Sequence, residues 1–203
     1  MNNKTITSIR TNCNNINYIA KLFLYIFVFI AFSRIVYTIF ILTQSGNSLE
    51  VLSFKNEFII RSSNLSFWMG GSISKSLVTS SLDQPFSNVI FAFIITQVTF
   101  LVNQSLIILT FYFISKILNN IENNYTPFII ENANNIKLVG LLLIAYAIVP
   151  NLIAYPLLQI VTQGVSLGLN NSLPMVFASS FILLLSKIFT YGCELQKDSD
   201  ETL

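Results

Sequence analysis

Hydrophobic and polar positions are segregated along this chain into long blocks. Four blocks are almost wholly apolar and consist mainly of Ile, Leu, Phe and Val. About 20 apolar residues at a rise of 1.5 Å cross a hydrocarbon core of about 30 Å, and lipid offers no partner for open backbone groups, so these segments must be helices. The pattern predicts an all-α membrane protein. It is a four-helix transmembrane bundle with spans at about 22–42, 89–115, 138–163 and 173–191.

Composition favours this class over a soluble all-α fold. Only 10% of the residues are charged and the mean hydropathy is +0.67, whereas soluble domains carry about 25% charged residues. Four such segments in 203 residues leave no further helices to shield them from water. The first span is longer than the apolar region of a cleavable signal peptide, which has about 7 to 15 residues. We therefore expect a retained signal anchor and a lipid bilayer around the bundle.

The distribution of Lys and Arg predicts that both termini face the cytoplasm. The connection 44–88 carries both signs of charge and is expected outside, whereas the loop 119–137 and the tail 192–203 are expected inside. We predict a multi-pass protein of the bacterial cell (inner) membrane. Its cysteines, Cys13 and Cys193, then lie on the reducing side. The basic residues on the predicted cytoplasmic side are Lys4, Arg10, Lys21, Lys116, Lys137, Lys187 and Lys197.

Two short β-prone runs lie in the outer connection. The first run contains Leu49, Val51 and Ser53, and the second contains Glu57, Ile59 and Arg61. They are separated by Lys55 and Asn56, which suit a two-residue hairpin turn. This pattern predicts a small extracytoplasmic β-hairpin. The Asn-rich first 17 residues, in contrast, are expected to form a mobile tail.

Catalytic chemistry has few residues to use. The chain contains no histidine, which excludes Ser-His-Asp systems and His-containing metal sites. None of the predicted spans contains Asp or Glu, and no GxxxxGK[ST] phosphate loop is present. We therefore predict that the protein is not an enzyme, and we expect neither a cofactor nor a metal site. The chain also has no basic DNA-reading helix, so direct nucleic-acid binding is not expected.

One charge and a polar stripe remain inside the spans. Arg34 lies near the middle of the first span, where a cation costs about 2.5 to 3.5 kcal/mol on insertion scales. Gln97 and Gln104 are seven residues apart on one face of the second span, with Asn103 beside them. We expect this candidate polar cluster to offset the cost of Arg34. The cluster either packs the helices together or lines a pathway or ligand site, and Arg34 alternatively extends to the outer interface.

The third span contains two prolines. Pro150 and Pro156 have Asn151 and Gln159 nearby, and a proline kink frees backbone carbonyls, as in transporters built from broken helices. Small-solute transport, as a transporter or channel subunit, is therefore the alternative function.

Two motifs on the predicted cytoplasmic side carry a family resemblance. The first runs from Pro127 to Asn132 and continues to Lys137, and the second runs from Tyr191 to Leu203. They resemble the "PF…EN…L" signature and the "G-x-x-L-Q-x-x-x-D-x-T-[IL]" tail of a bacterial four-span membrane family catalogued as domain of unknown function 2975. The matching residues, a candidate docking motif, are Pro127, Phe128, Glu131, Asn132, Gly192, Leu195, Gln196, Asp200, Thr202 and Leu203.

The resemblance implies a regulatory or interaction protein. Members of that family are often encoded beside a small helix-turn-helix transcriptional regulator, which the membrane protein would sequester or signal to. The acidic tail suits a docking role because it would attract a basic partner. The other interpretation of the tail is a solvated end that aids topology and solubility. A homo-oligomer is compatible with the pattern.

Overall fold

Four long helices and three short strands make up the part of the chain that this computed structural model describes. The described residues are 3–43, 49–63, 70–75, 77–78, 86–124, 127–162, 164–165 and 173–201, apart from the side chains of residues 3–9, 124 and 200. The elements in chain order are α1 (Asn3–Thr43), β1 (Leu49–Ser53), β2 (Glu57–Ser62), β3 (Gly71–Ser74), α2 (Val89–Asn124), α3 (Ile130–Val161) and α4 (Leu173–Glu201).

All four helices are long and apolar enough to cross a membrane. Within the protein, only 11% of the most apolar window of α1 is buried, and the same share of α4, against 33% in α2. Large apolar side chains such as Phe29, Phe32 and Phe181 are more than 60% exposed on these helices. Contiguous apolar surface of this extent is unfavourable in water and is typical of helices that cross a membrane. The prediction of a helical membrane protein with four candidate spans is confirmed.

The helices extend beyond the predicted spans at their polar ends. Helix α2 ends at Asn124 and α3 begins at Ile130, so most of the predicted loop 119–137 is helical. Helix α4 continues to Glu201, through almost all of the predicted tail. Pro150 and Pro156 both lie inside α3, which is helical without a break from Ile130 to Val161.

The expectation of a mobile tail at the N-terminus is wrong, because α1 begins at Asn3. The side chain of Asn17 is 2% exposed, and its Oδ1 accepts a hydrogen bond of 2.6 Å from the Ser115 hydroxyl of α2. Asparagine has a low intrinsic helix propensity. Here a buried interhelical bond and the continuous span outweigh that preference.

The predicted hairpin is present and belongs to a three-stranded antiparallel sheet in the order β1-β2-β3. Leu49 pairs with Ser62 and Ser53 with Phe58. The turn at residues 54–56 closes with a bond of 2.8 Å from the Phe54 N–H to the Glu57 carbonyl. Strand β3, which the sequence analysis did not predict, pairs with β2 from Gly71 to Ser74.

The chain divides into two compact units. Unit 1 comprises Met1–Val28, Leu106–Ala147 and Leu173–Leu203, and unit 2 comprises Phe29–Ser105 and Ile148–Ser172. The main hydrophobic core belongs to unit 2, where one face of the sheet contributes Phe58, Ile60 and Ile73. These side chains alternate with more exposed neighbours, as expected for a sheet buried on one face. Ile60 is fully buried, and burial of such a side chain stabilises by about 1.5 to 3 kcal/mol.

The beginning of α2 is fixed by local hydrogen bonds. Asn88 precedes the helix, and its Oδ1 accepts a bond of 3.1 Å from the Phe91 N–H, which is an N-cap arrangement. The Ser87 N–H donates to the Val161 carbonyl at 2.8 Å, and Phe86 forms an isolated bridge with Thr162. The start of α2 is thereby joined to the end of α3 within unit 2.

In unit 1, close backbone approach packs α3 against α4. A Cβ added to Gly140 would lie 2.8 Å from Leu183 Cδ2, so a small residue is needed at this crossing. The Ser186 hydroxyl of α4 also donates to the Ala133 carbonyl of α3 at 2.9 Å.

Candidate functional site

A cavity of about 300 Å³ with both polar and apolar side chains in its wall lies in unit 2. It is surrounded by α1, α2, α3 and the chain from Gly70 to Ser74. This volume is at the lower end of the range for small-molecule sites. The side chains that line it include Arg34 of α1, Gln97 and Asn103 of α2, and Asn151 of α3.

Arg34 is the charged residue in this wall. Its Nη1 donates to the Gly70 carbonyl at 3.1 Å and to Gln97 Oε1 at 3.4 Å. Its guanidinium also lies over the Phe100 ring, 4.3 Å from the ring centre. Both acceptors are neutral oxygen atoms, and these two bonds orient the guanidinium.

Two glycines let the chain leading into β3 lie close to its neighbours. A Cβ at Gly71 would overlap the side chain of Thr96, and one at Gly70 would lie 2.8 Å from the Ile60 carbonyl oxygen. Gly71 therefore brings the sheet into contact with α2. Next to it, Gly70 presents the carbonyl that Arg34 binds. The sequence analysis missed both residues, although the adjacent glycines were a visible signal of close backbone approach.

The predicted polar cluster is only partly brought together. Arg34 and Gln97 are hydrogen-bonded, and Asn103 lines the same cavity. Gln104 is 6% exposed but does not belong to the lining. The structure adds Asn151 and Phe100 to the site. The Phe100 contact was missed because an aromatic residue in an apolar span gives no sign of a cation above it.

Two threonine hydroxyls of α2 near the cavity donate hydrogen bonds within their own helix. Thr96 donates to the Phe93 carbonyl at 2.7 Å, and Thr99 donates to the Ile95 carbonyl at 2.8 Å. This local bonding lets hydroxyl groups enter an apolar helix at little cost. Their oxygen atoms keep acceptor capacity, since a hydroxyl has two lone pairs.

The described lining residues of the cavity present a limited set of chemical groups. Among the described residues of the wall there is neither a carboxylate nor a cysteine. Across the described ranges of the chain, no group of three or more Cys, Asp or Glu side chains could hold a metal ion. The wall offers one guanidinium, several amides and hydroxyls, and apolar side chains.

A second candidate site lies in unit 1, where the two family-like motifs meet. The Phe128 ring packs against Phe189, with ring centres 5.4 Å apart. It also covers Gly192, where an added Cβ would lie 2.5 Å from Phe128 Cδ1. The glycine of the second motif therefore provides the space that the phenylalanine of the first motif occupies.

In the first motif, the side chain of Asn132 makes hydrogen bonds to two neighbouring residues. It is fully buried, its Nδ2 donates to the Pro127 carbonyl at 3.1 Å, and its Oδ1 accepts from Asn120 Nδ2 at 3.1 Å. Beside it, Glu131 forms a salt bridge of 2.9 Å with Lys116. These contacts connect the ends of α2 and α3.

The second motif continues along the exposed end of α4. Leu195 is 51% exposed and Gln196 is exposed as well. Lys197 and Glu201 form an ion pair of 3.7 Å across one helical turn. The side chain of Asp200, together with Thr202 and Leu203, lies outside the described residues.

Taken together, these features define a helical protein with four candidate membrane spans, a cavity of mixed polar and apolar lining in one unit, and two sequence motifs in contact in the other. No protein-family model, no curated protein and no solved structure matches the chain. The resemblance to the family of unknown function 2975 therefore rests on its two motifs alone.

Proposed function

We propose that this chain is a non-enzymatic, multi-pass protein of the bacterial cytoplasmic membrane that binds a small helix-turn-helix regulator. The observation that carries the proposal is the contact of Phe128 with Gly192, which joins the two family-like motifs at one surface of unit 1. In the proposed topology both termini and the α2–α3 connection face the cytoplasm, and the sheet faces outward.

The contacts divide the motif residues into two groups. Phe128, Asn132 and Gly192 hold helix ends together, so they shape the surface. Leu195 and Gln196 are exposed on α4 and remain accessible to a partner. The acidic side chains near them, Glu194 and Asp198 among them, would attract a basic regulator over about one Debye length, roughly 10 Å at 0.1 M salt.

The test uses two leucines of α4 with matched exposure. Leu195 is 51% exposed near the end of the helix, and Leu185 is 48% exposed within the apolar segment. Leu195→Ala should weaken co-purification of the helix-turn-helix protein encoded beside this gene, and Leu185→Ala should not. Binding should also weaken as salt is raised, because the attraction is electrostatic.

Deletion of residues 194–203 provides a second arm. It leaves the apolar segments intact, so insertion should persist while capture of the regulator is lost. If the truncated protein captures the regulator as well as the full chain, or if no helix-turn-helix gene lies nearby, the docking proposal fails.

A second candidate function is small-solute transport, as a transporter or channel subunit. The cavity of about 300 Å³ in unit 2 favours it, since α1, α2 and α3 all contribute polar side chains or small residues to the wall. Its test is flux of small solutes through proteoliposomes, with Asn151→Leu as the variant that makes the wall less polar. A neighbouring transporter ATPase or binding-protein gene would favour this function over docking.

A further inference from the structure

Two asparagines on different helices border the cavity of unit 2. Asn103 belongs to α2 and Asn151 to α3, and both residues are half-buried in the wall. Within the described part of the chain, no hydrogen bond engages either side-chain amide. An amide in apolar surroundings is unfavourable until it forms hydrogen bonds. These two groups therefore suit a ligand that supplies the missing partners.

The wall offers neutral hydrogen-bonding groups of both kinds. Each asparagine amide has an NH₂ donor and a carbonyl acceptor. The hydroxyls of Thr96 and Thr99 donate within α2 and keep acceptor capacity. Arg34, in contrast, is engaged within the wall by Gly70 and Gln97, so recognition of a ligand is not assigned to it.

We propose that this cavity binds a small, neutral, partly apolar molecule with an adjacent donor and acceptor, as in a primary carboxamide, and that Asn103 and Asn151 recognise that group. A carboxamide complements an asparagine side chain, since each presents N–H donors and a carbonyl acceptor. Burying an ion costs far more than burying a neutral group that forms hydrogen bonds. None of the described lining residues is acidic, so a cation would find no counter-ion there.

Apolar side chains of the same wall suit the remainder of the ligand. Ile73, Leu77 and Leu158 contribute to the lining, and contact with them favours an apolar group over water. A volume of about 300 Å³ accommodates a molecule with a single ring. Water alone would satisfy the amides but would leave this apolar surface hydrated.

This inference deepens the transport candidate by naming its ligand class, and it rests on that proposed function for its biological role. It is independent of the docking proposal. The test measures binding and not flux. Binding without flux would refute transport alone, whereas flux without the expected binding preference would refute the ligand class alone.

The experiment compares three molecules of similar shape: benzamide, acetophenone and benzoate. Acetophenone replaces the NH₂ group of benzamide by a methyl group, and benzoate replaces the amide by an ionised carboxylate. Binding is measured by calorimetry on the full chain in phosphatidylcholine nanodiscs, and affinities are corrected for partition into empty nanodiscs. Benzamide should bind about 2- to 10-fold more tightly than acetophenone, which is the range for one neutral hydrogen bond. Benzoate should bind most weakly.

Variants of the two asparagines locate the recognition. Asn103→Leu and Asn151→Leu nearly conserve side-chain size, so each should reduce the preference for benzamide over acetophenone, and the double variant should abolish it. Gln104→Leu is the matched control, because Gln104 is a buried amide of α2 outside the cavity wall. It should leave the preference intact. If the double variant does not fold, the three-molecule series on the unchanged protein still decides the matter.

Four results would overturn the proposal. They are equal affinity for benzamide and acetophenone, tighter binding of benzoate than of benzamide, a preference for benzamide that survives the double variant, and no saturable binding of benzamide up to its solubility limit. The last result is the one expected of a cavity that holds only water.

Discussion

The contact between Arg34 and Gln97 leads to a quantitative prediction for the free energy of unfolding. Arg34→Leu removes two hydrogen bonds, of 3.1 and 3.4 Å, and the contact of the guanidinium with Phe100. Hydrogen bonds within membrane proteins contribute about 0.6 kcal/mol on average and at most about 1.7. A cation over an aromatic ring contributes about 0.5 to 2 kcal/mol. The bond to Gln97 is longer than usual, and removal of an intramembrane charge offsets part of the loss. We expect a net cost of about 1 to 2 kcal/mol.

A double-mutant cycle isolates the pair from the general effect of removing polar groups. Gln97→Leu is combined with Arg34→Leu, and Gln104→Leu serves as the matched control. A hydrogen bond to a charged group is roughly twice as strong as a neutral one, so the coupling energy of Arg34 with Gln97 should be about 1 kcal/mol. Arg34 and Gln104 should be additive within about 0.5 kcal/mol.

The assay is reversible unfolding by SDS in mixed micelles, followed by far-ultraviolet circular dichroism. All variants should insert and show the helical signal of the unchanged protein before SDS is added. Additive effects of Arg34→Leu and Gln97→Leu, or equal coupling of Arg34 to both glutamines, would refute the view that this bond positions the guanidinium.

Three further predictions concern the proposed topology and the close packing. An impermeant maleimide should label Lys55→Cys, in the exposed β-turn, in intact cells but should leave Cys13 and Cys193 unlabelled; labelling of both native cysteines in sealed cells would contradict the topology. Gly71→Ala should destabilise the protein by about 1 to 3 kcal/mol in SDS unfolding because it overpacks the sheet against α2, and an unchanged midpoint would contradict that contact. Asn132→Leu should cost about 1 to 3 kcal/mol because the half-buried Asn120 amide and Pro127 carbonyl lose their bonds to it. Unchanged protease resistance at the α2–α3 connection would contradict this.

Local patterns were sufficient to predict the helices and the first two strands. A near-continuous apolar run has only one acceptable backbone in lipid, so each helix followed directly from its block. The hairpin was predictable because two short β-prone runs, 49–53 and 57–61, lie on either side of a polar turn, and pairing at that spacing needs no distant contact.

The parts of the fold that depend on distant contacts were not predictable in this way. Strand β3 has only four residues, and it is a strand because β2 offers an edge and Gly71 permits close packing on α2. The burial of Asn17 in α1 likewise involves a distant contact, its hydrogen bond with Ser115, which is 98 residues away. In both cases tertiary contact overrides local propensity.

The candidate sites differ in how their polar side chains are used, and the sequence alone could not distinguish them. Asn132 in unit 1 is fully buried and bonded to Asn120 and Pro127, so its amide holds the structure together. Asn103 of α2 and Asn151 of α3 are also asparagines, and they lie on the same two helices as Asn120 and Asn132. In unit 2, however, they line the cavity. A polar residue in a membrane helix packs the structure where its partner is another side chain and forms a site where it borders a cavity. On that criterion the amides of Asn103 and Asn151 border a cavity in unit 2, whereas the amide of Asn132 holds two helix ends together in unit 1.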